Sequence, residues 1–203
     1  MIRSIAALIG LSFAGVVNSG VGAEISPPGA ESVRSAQAAA STSPWFAAAL
    51  KHDVDPLELY AIALQESRRH RPDGQFRPWP WTLHTENEGT MYFNTYEAVL
   101  AKLTTLLERG ETNIDIGLMQ INWGWNGHRL PDPAKLLLPQ YNIDVAAKIL
   151  REHLNAFGGD RRLAIARYHS SRPDRGMPYA AAVLEILKYL HTAEELKRTL
   201  IYR

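Results

Sequence analysis

The chain has 203 residues, with a 46% hydrophobic and a 21% charged share, enough for one domain with a substantial core. Its formal net charge of +1 argues against nucleic-acid binding, which calls for a basic surplus gathered on one face. With no cysteine, the chain has no disulfide, no thiol nucleophile and no cysteine-based metal site.

The first 23 residues have the layout of a secretory signal peptide. A short positive start, "MIR", leads into the apolar "SIAALIGLSFAGVV", and "VGA" offers small residues before Glu24. Cleavage after Ala23 would remove Arg3 and no acid, bringing the formal charge to zero. Export without cysteines suits a bacterial periplasmic or extracellular protein. Residues 24–43, "EISPPGAESVRSAQAAASTS", are rich in Ser, Ala and Pro and read as a disordered leader or linker. The folded domain is expected over 44–203.

Pro44 opens a short helix, "PWFAAALK". The next helix has Asp55 as its cap, Pro56 at its first position and Glu58 at capping-box spacing. Leu57, Tyr60, Ala61 and Leu64 form its apolar stripe, and Glu66 falls near the edge of that stripe in the final turn. The basic run "RRHR" then reads as a solvated helix end. In "RPWPWTLHTENEGTMYFNTYEAV", Trp81 and Leu83 alternate with polar residues, as do Met91 and Phe93 after a turn at "NEG". This pattern predicts a small β-hairpin. Asn94 and Glu97 have capping-box spacing for a helix running to about Arg109. Further short helices are expected over 115–121, 133–138, 142–157, 160–169, 177–190 and 193–200. The fold class is therefore mainly α with a small hairpin insertion.

No His pair has zinc-motif spacing, no loop has the calcium pattern, and neither a G-x-S-x-G elbow nor a phosphate-binding glycine loop occurs. No metal or cofactor is implied. Three stretches stand out instead: "QES" at Gln65 to Ser67, "DIGLMQINWGWN" at Asp115 to Asn126, and "ARYHSSRPDRGMPYAAAV" at Ala166 to Val183. In the second, Gly117 would let the backbone approach something closely. Gln120 and Asn122 present amides beside the flat faces of Trp123 and Trp125, a combination that suits a sugar. The third supplies Tyr168, His169 and Tyr179, whose polar tips need partners if buried.

In this order the stretches resemble lytic transglycosylases of the soluble-lytic-transglycosylase (SLT) type, within the goose-type lysozyme superfamily. The resemblance rests on Glu66-Ser67, on Gly117-Leu118-Met119-Gln120-Ile121-Asn122, on Ala166-Arg167-Tyr168-His169-Ser170 and on Tyr179. It covers roughly residues 44 to 190. The "PWPWTL…MYF" insertion resembles periplasmic members linked to conjugative elements and type IV secretion or pilus systems. The family's usual Asn-Ala-Gly after the Tyr of the third motif is His169-Ser170-Ser171 here.

The resemblance implies a lysozyme-like fold and peptidoglycan glycan strands as substrate, with an envelope-spanning machine as partner. It implies cleavage between N-acetylmuramic acid and N-acetylglucosamine to give 1,6-anhydro ends. Glu66 would be the single general acid and base. Ser67 would orient the carboxylate or nearby backbone, Tyr179 would hydrogen-bond Glu66, and Gln120 would contact substrate or position Glu66. Met119, Asn122, Tyr168, His169 and Trp81 would contact the glycan, although Trp79 and Trp81 serve equally as hairpin packing. Asp115 is expected to cap a helix over "IGLMQ" rather than act as a second carboxylate. A hydrolytic lysozyme and an inactive glycan-binding or scaffolding module remain the alternatives, the latter motivated by His169 to Ser171.

Overall fold

The computed structural model describes residues 43–70 and 74–201, with side chains as far as Ala193. The expected signal peptide at 1–23 and leader over 24–43 lie outside these, apart from Ser43.

Helix α1 spans Pro44–His52 and ends where Asp53 takes the left-handed conformation, φ 53°. Helix α2 spans Pro56–Ser67, and Asp55 caps it by accepting from the Leu57 N–H at 2.8 Å. Glu58 does not complete a capping box. It turns inward, 2% exposed, and pairs with Arg161 of a later helix. Trp45 packs edge-on against Tyr60, joining α1 to α2.

No loop follows α2. The "RRH" segment is a strand, β1 (Arg68–His70), paired antiparallel with β2 (Phe76–Pro78). The expected solvated helix end is thus a two-stranded ribbon starting at the residue after Ser67. The predicted hairpin forms as β3 (Thr82–Thr85) and β4 (Gly89–Tyr92), with Leu83 opposite Met91. It is the edge of a larger sheet than the sequence suggested. β5 (Ile114–Ile116) pairs with β3 and β6 (Ile121–Asn122) pairs with β5, giving the order β4-β3-β5-β6. Between β4 and β5 lies α3, Tyr96–Glu108. Its cap is Thr95, whose Oγ1 accepts from the Ala98 N–H; Asn94 stands one residue too early.

The helix expected over 115–121 is absent. Ile114, Ile116 and Ile121 are β-branched and pair in the sheet, while Gly117 (φ 82°) and Gln120 (φ 48°) bend the chain between β5 and β6. The backbone of this turn is bonded by other parts of the fold. Gly117 N–H donates to Thr82 O at 2.8 Å, and Met119 N–H to Asn142 Oδ1 at 2.7 Å. A helix here would forfeit those partners. Asp115 is consequently a strand residue and caps nothing.

Helix α4 (Trp123–Asn126) and 3₁₀ turns at Gly127–Arg129 and Pro133–Leu137 lead to α5, Pro139–Ala156. α6 is Arg161–His169, capped by Asp160. The two last expected helices are one, α7, Pro173–Ile201, with Pro178 in its second turn. The core gathers Leu59, Ile62, Ala63, Ile143, Leu150, Ile165 and Val183 from the helices, together with Leu83, Ile114 and Ile116 from the inner face of the sheet. The architecture is mainly α with a small sheet, as expected for a lysozyme-like SLT domain.

Candidate active site

Glu66 lies in the last turn of α2, two residues before β1 begins. Its side chain keeps some accessible surface, but protein surrounds the carboxyl group. Tyr179 of α7 donates its hydroxyl to Glu66 Oε1 at 2.6 Å. Burial pushes the carboxyl from the usual 4.5 up to about 7. The Tyr179 bond pulls against that shift, and the negative charge of Asp115 adds to it. Near neutral pH this group divides between acid and carboxylate, the condition for a side chain that gives a proton and then takes one back.

The end of α2 is tied to the Gly117–Gln120 turn through Ser67. Fully buried, Ser67 donates from Oγ to Leu118 O at 2.7 Å and accepts from the Trp79 N–H at 3.2 Å. Its hydroxyl therefore orients backbone rather than the Glu66 carboxylate. Asn142 of α5, also fully buried, braces the same turn from below. It accepts from Met119 N–H and donates from Nδ2 to Ile116 O at 2.8 Å and Leu136 O at 2.9 Å. Gly117 does let the backbone come close, but to protein. A Cβ there would sit 2.5 Å from Leu136 O and closer still to Asn142 Nδ2.

Gln120 folds back over its own turn, donating from Nε2 to Gly117 O at 2.7 Å. Among the described residues Gln120 makes no hydrogen bond to Glu66. Met119, expected on the glycan, is 0% exposed in the core, and its carbonyl accepts from the Tyr168 hydroxyl at 2.9 Å. The long thioether fills core space beneath the turn, so the Met119 side chain has no accessible face for a sugar. Tyr168 is thereby a clamp on the turn as well as a neighbour of the site. Burial raises its phenol well above the usual value, and the charges of Glu66 and Asp115 add to the effect.

His169, at the end of α6, is exposed on one side. On the other it stacks flat on Tyr179, ring centres 4.3 Å apart and planes 5° from parallel. Gly176 makes this possible, because a Cβ there would lie 2.6 Å from Ala166 O where α7 crosses α6. Burial lowers the His169 imidazole below its usual value against the pull of Asp115.

Asn122 is half open, but its groups are occupied. Nδ2 donates to Asn113 Oδ1 at 2.7 Å and to Asp115 Oδ1 at 2.9 Å, while Oδ1 accepts from the Trp125 N–H at 3.1 Å. Trp81 packs edge-on against Trp79 with its ring partly against the core. Trp79 is held by its own Nε1–H bond to Phe93 O at 2.6 Å and by the Arg69 guanidinium over its ring. Trp125, by contrast, is 81% exposed.

Sequence reasoning missed Asn142, which was legible as a polar residue on the apolar stripe shared with Val145, Ala146 and Ile149. His84 is the cross-strand neighbour of Asp115. Among the described residues no group of three or more His, Cys, Asp or Glu is placed to hold a metal ion.

The helical domain with its small sheet defines a lysozyme-like fold. Within it, residues 84–174 match the sequence family described as the transglycosylase SLT domain, a match that supports an enzyme acting on peptidoglycan. The matched span contains Gln120, Tyr168 and His169 and stops short of Glu66 and Tyr179 on either side. No curated protein and no solved structure matches the chain.

Proposed function

We propose that this protein is a peptidoglycan lytic transglycosylase. It cleaves the β-1,4 bond between N-acetylmuramic acid and N-acetylglucosamine and leaves 1,6-anhydro ends. The observation that carries the reading is the Glu66 carboxyl, desolvated to a pKa of about 7 and held by Tyr179 beside a segment that matches the SLT family. Protonated, Glu66 gives its proton to the glycosidic oxygen as the bond to the anomeric carbon breaks. Ionised, it accepts the proton of the muramic acid C6 hydroxyl, whose oxygen closes the anhydro ring. The attacking hydroxyl belongs to the substrate itself, so no water is consumed.

Tyr179 fixes the carboxyl and eases its ionised half-cycle. Ser67 and Tyr168 hold the turn opposite. His169, Asn122, Trp81 and the exposed Trp125 supply a rim of polar and flat apolar groups suited to sugar edges and faces. Export of residues beyond position 23 to the periplasm, or outside the cell, belongs to the same proposal, as does service to an envelope-spanning secretion, conjugation or pilus machine.

Mass spectrometry of muropeptides released from purified peptidoglycan tests it, with the parent protein beside Glu66→Gln. Anhydromuropeptides from the parent alone are expected. New reducing ends would replace the reading by a hydrolytic lysozyme, and binding without release by a scaffolding module.

A further inference from the structure

The sheet carries a row of side chains that a single-acid scheme leaves unused. Strand pairing sets Thr90 opposite His84, His84 opposite Asp115, and Asp115 opposite Asn122. Residues directly opposite in antiparallel strands project to the same face, and the neighbouring row projects to the other. That neighbouring row is Met91, Leu83, Ile116 and Ile121, the last three buried in the core. The polar row therefore lies on the face turned away from the core. It is bonded at both ends: His84 Nδ1 and Thr90 Oγ1 lie 3.0 Å apart, and Asn122 Nδ2 donates to Asp115 Oδ1 at 2.9 Å. Asp115 is thus a partly open carboxylate, buttressed at Oδ1 and fixed on a strand.

The row also borders Glu66. β5 runs directly from Asp115 into the turn whose Leu118 carbonyl is gripped by Ser67, the residue after Glu66. One residue further on, the Met119 carbonyl is gripped by Tyr168, the residue before His169. Two hydrogen bonds thus fasten the segment bearing Asp115 to the segments bearing Glu66 and His169. The charge of Asp115 is felt by Glu66, Tyr168 and His169 alike.

We propose that Asp115 is a second carboxylate of this active site, stabilising the positive charge at the anomeric carbon while Glu66 works on the leaving oxygen. The inference rests on the glycan-cleaving reading above. The Glu66 proton passes to the glycosidic oxygen, which departs with the electron pair of the broken C1–O bond. Positive charge gathers on C1 and the ring oxygen, and the ionised Asp115 balances it. The C6 hydroxyl oxygen then bonds to C1, its proton returns to Glu66, and Asp115 ends unchanged.

The surroundings divide the labour between the two acids. Burial raises both. At Asp115 the Asn122 amide, His84 from β3 and His169 from α6 pull the other way, with Arg175 of α7 acting in turn on His169. Glu66 has the Tyr179 phenol as its lowering partner and Asp115 itself as a raising one. These partners favour the ionised form of Asp115, and its charge helps Glu66 keep its proton.

The test is Asp115→Asn, which keeps the shape and an acceptor for Asn122, in muropeptide release from purified peptidoglycan across pH. Turnover is expected to fall about 100-fold with KM little changed. The alkaline limb of the rate profile should move to lower pH, since removing the charge lowers the Glu66 pKa. Asp115→Glu should recover part of the turnover. An active parent with an equally active Asp115→Asn overturns this inference alone, whereas a parent that releases nothing overturns the glycan-cleaving reading itself. Should Asp115→Asn fail to fold, carboxyl-carbon NMR titration of the parent decides. Two coupled titrations with Asp115 the lower are expected, and independent ones overturn the pairing.

Discussion

Tyr179 donates its hydroxyl to Glu66 across 2.6 Å, joining the last turn of α2 to the second turn of α7. Burial first, and then the charge of Glu66, push the phenol well above its usual value, so it stays a donor at any working pH. The bond favours the ionised carboxyl and opposes the burial that favours the acid. Tyr179→Phe is therefore expected to raise the Glu66 pKa above about 7, moving the alkaline limb of the pH–rate profile upward, opposite to Asp115→Asn. Turnover at the optimum should fall about 10-fold, the worth of one hydrogen bond to a charged group. A limb that stays in place would remove Tyr179 from control of the titration.

The same carboxyl costs stability. Its folded-state pKa is raised from 4.5 to about 7. Around pH 4 the protonated carboxyl suits the buried site. As pH rises through 7 the folded chain must ionise Glu66 where water is excluded, while the unfolded chain has already done so freely. Stability is thus present at low pH and lost on the way up. At about 1.4 kcal/mol per pKa unit, the loss is on the order of 3 kcal/mol by pH 8. Glu66→Gln keeps an acceptor for Tyr179 without the charge. In urea denaturation it should match the parent near pH 4 and exceed it by ~1–3 kcal/mol at pH 8. Equal stabilities at both pH values would mean that the carboxyl is not desolvated.

Asn142 sets the shape of the turn that carries Leu118 and Gln120. Its amide satisfies one buried N–H and two buried carbonyls. Asn142→Ala removes all three bonds and should cost roughly 3 kcal/mol or more, read from the urea midpoint. Asn142→Asp should not rescue it, because an oxygen would then face the Ile116 and Leu136 carbonyls where the amide nitrogen now donates. A rescue by Asp would mean that the bond to Met119 alone holds the turn.

The helices were legible because their signals are local. Asp55-Pro56 starts α2 and Asp160 starts α6, each by a side chain two or three residues from the group it caps. The hairpin showed itself in the alternation of Trp81, Leu83, Met91 and Phe93, and its register is the one those residues set. The segment 115–121 was misread because what decides it is remote in sequence. Thr82, Ser67 and Tyr168 each take one of its backbone groups and Asn142 takes two, and no window around Gly117 contains them. Reading a helix there made Asp115 a cap and hid its neighbour His84, since a cross-strand row exists only once the strands are paired. Met119 erred the other way. Its place in a motif suggested substrate contact, and the core claimed the side chain.

Tryptophans at the rim divide by what holds them, and that division makes a last prediction. Trp79 is fixed by its bond to Phe93 O and by Arg69 at 4.7 Å from its ring centre, so Trp79→Ala should cost about 3 kcal/mol, as for a packed aromatic. Trp125 is 81% exposed and tethered through its backbone to Asn122, at the end of the polar row that holds Asp115. Its ring adds little to the core, and Trp125→Ala should leave stability within ~0.5 kcal/mol. If its flat face meets the C–H face of a sugar, the variant should bind purified glycan strands more weakly and raise KM while sparing kcat. Unchanged glycan affinity would place the groove away from α4 and confine substrate to the His169 side of the Glu66–Asp115 pair.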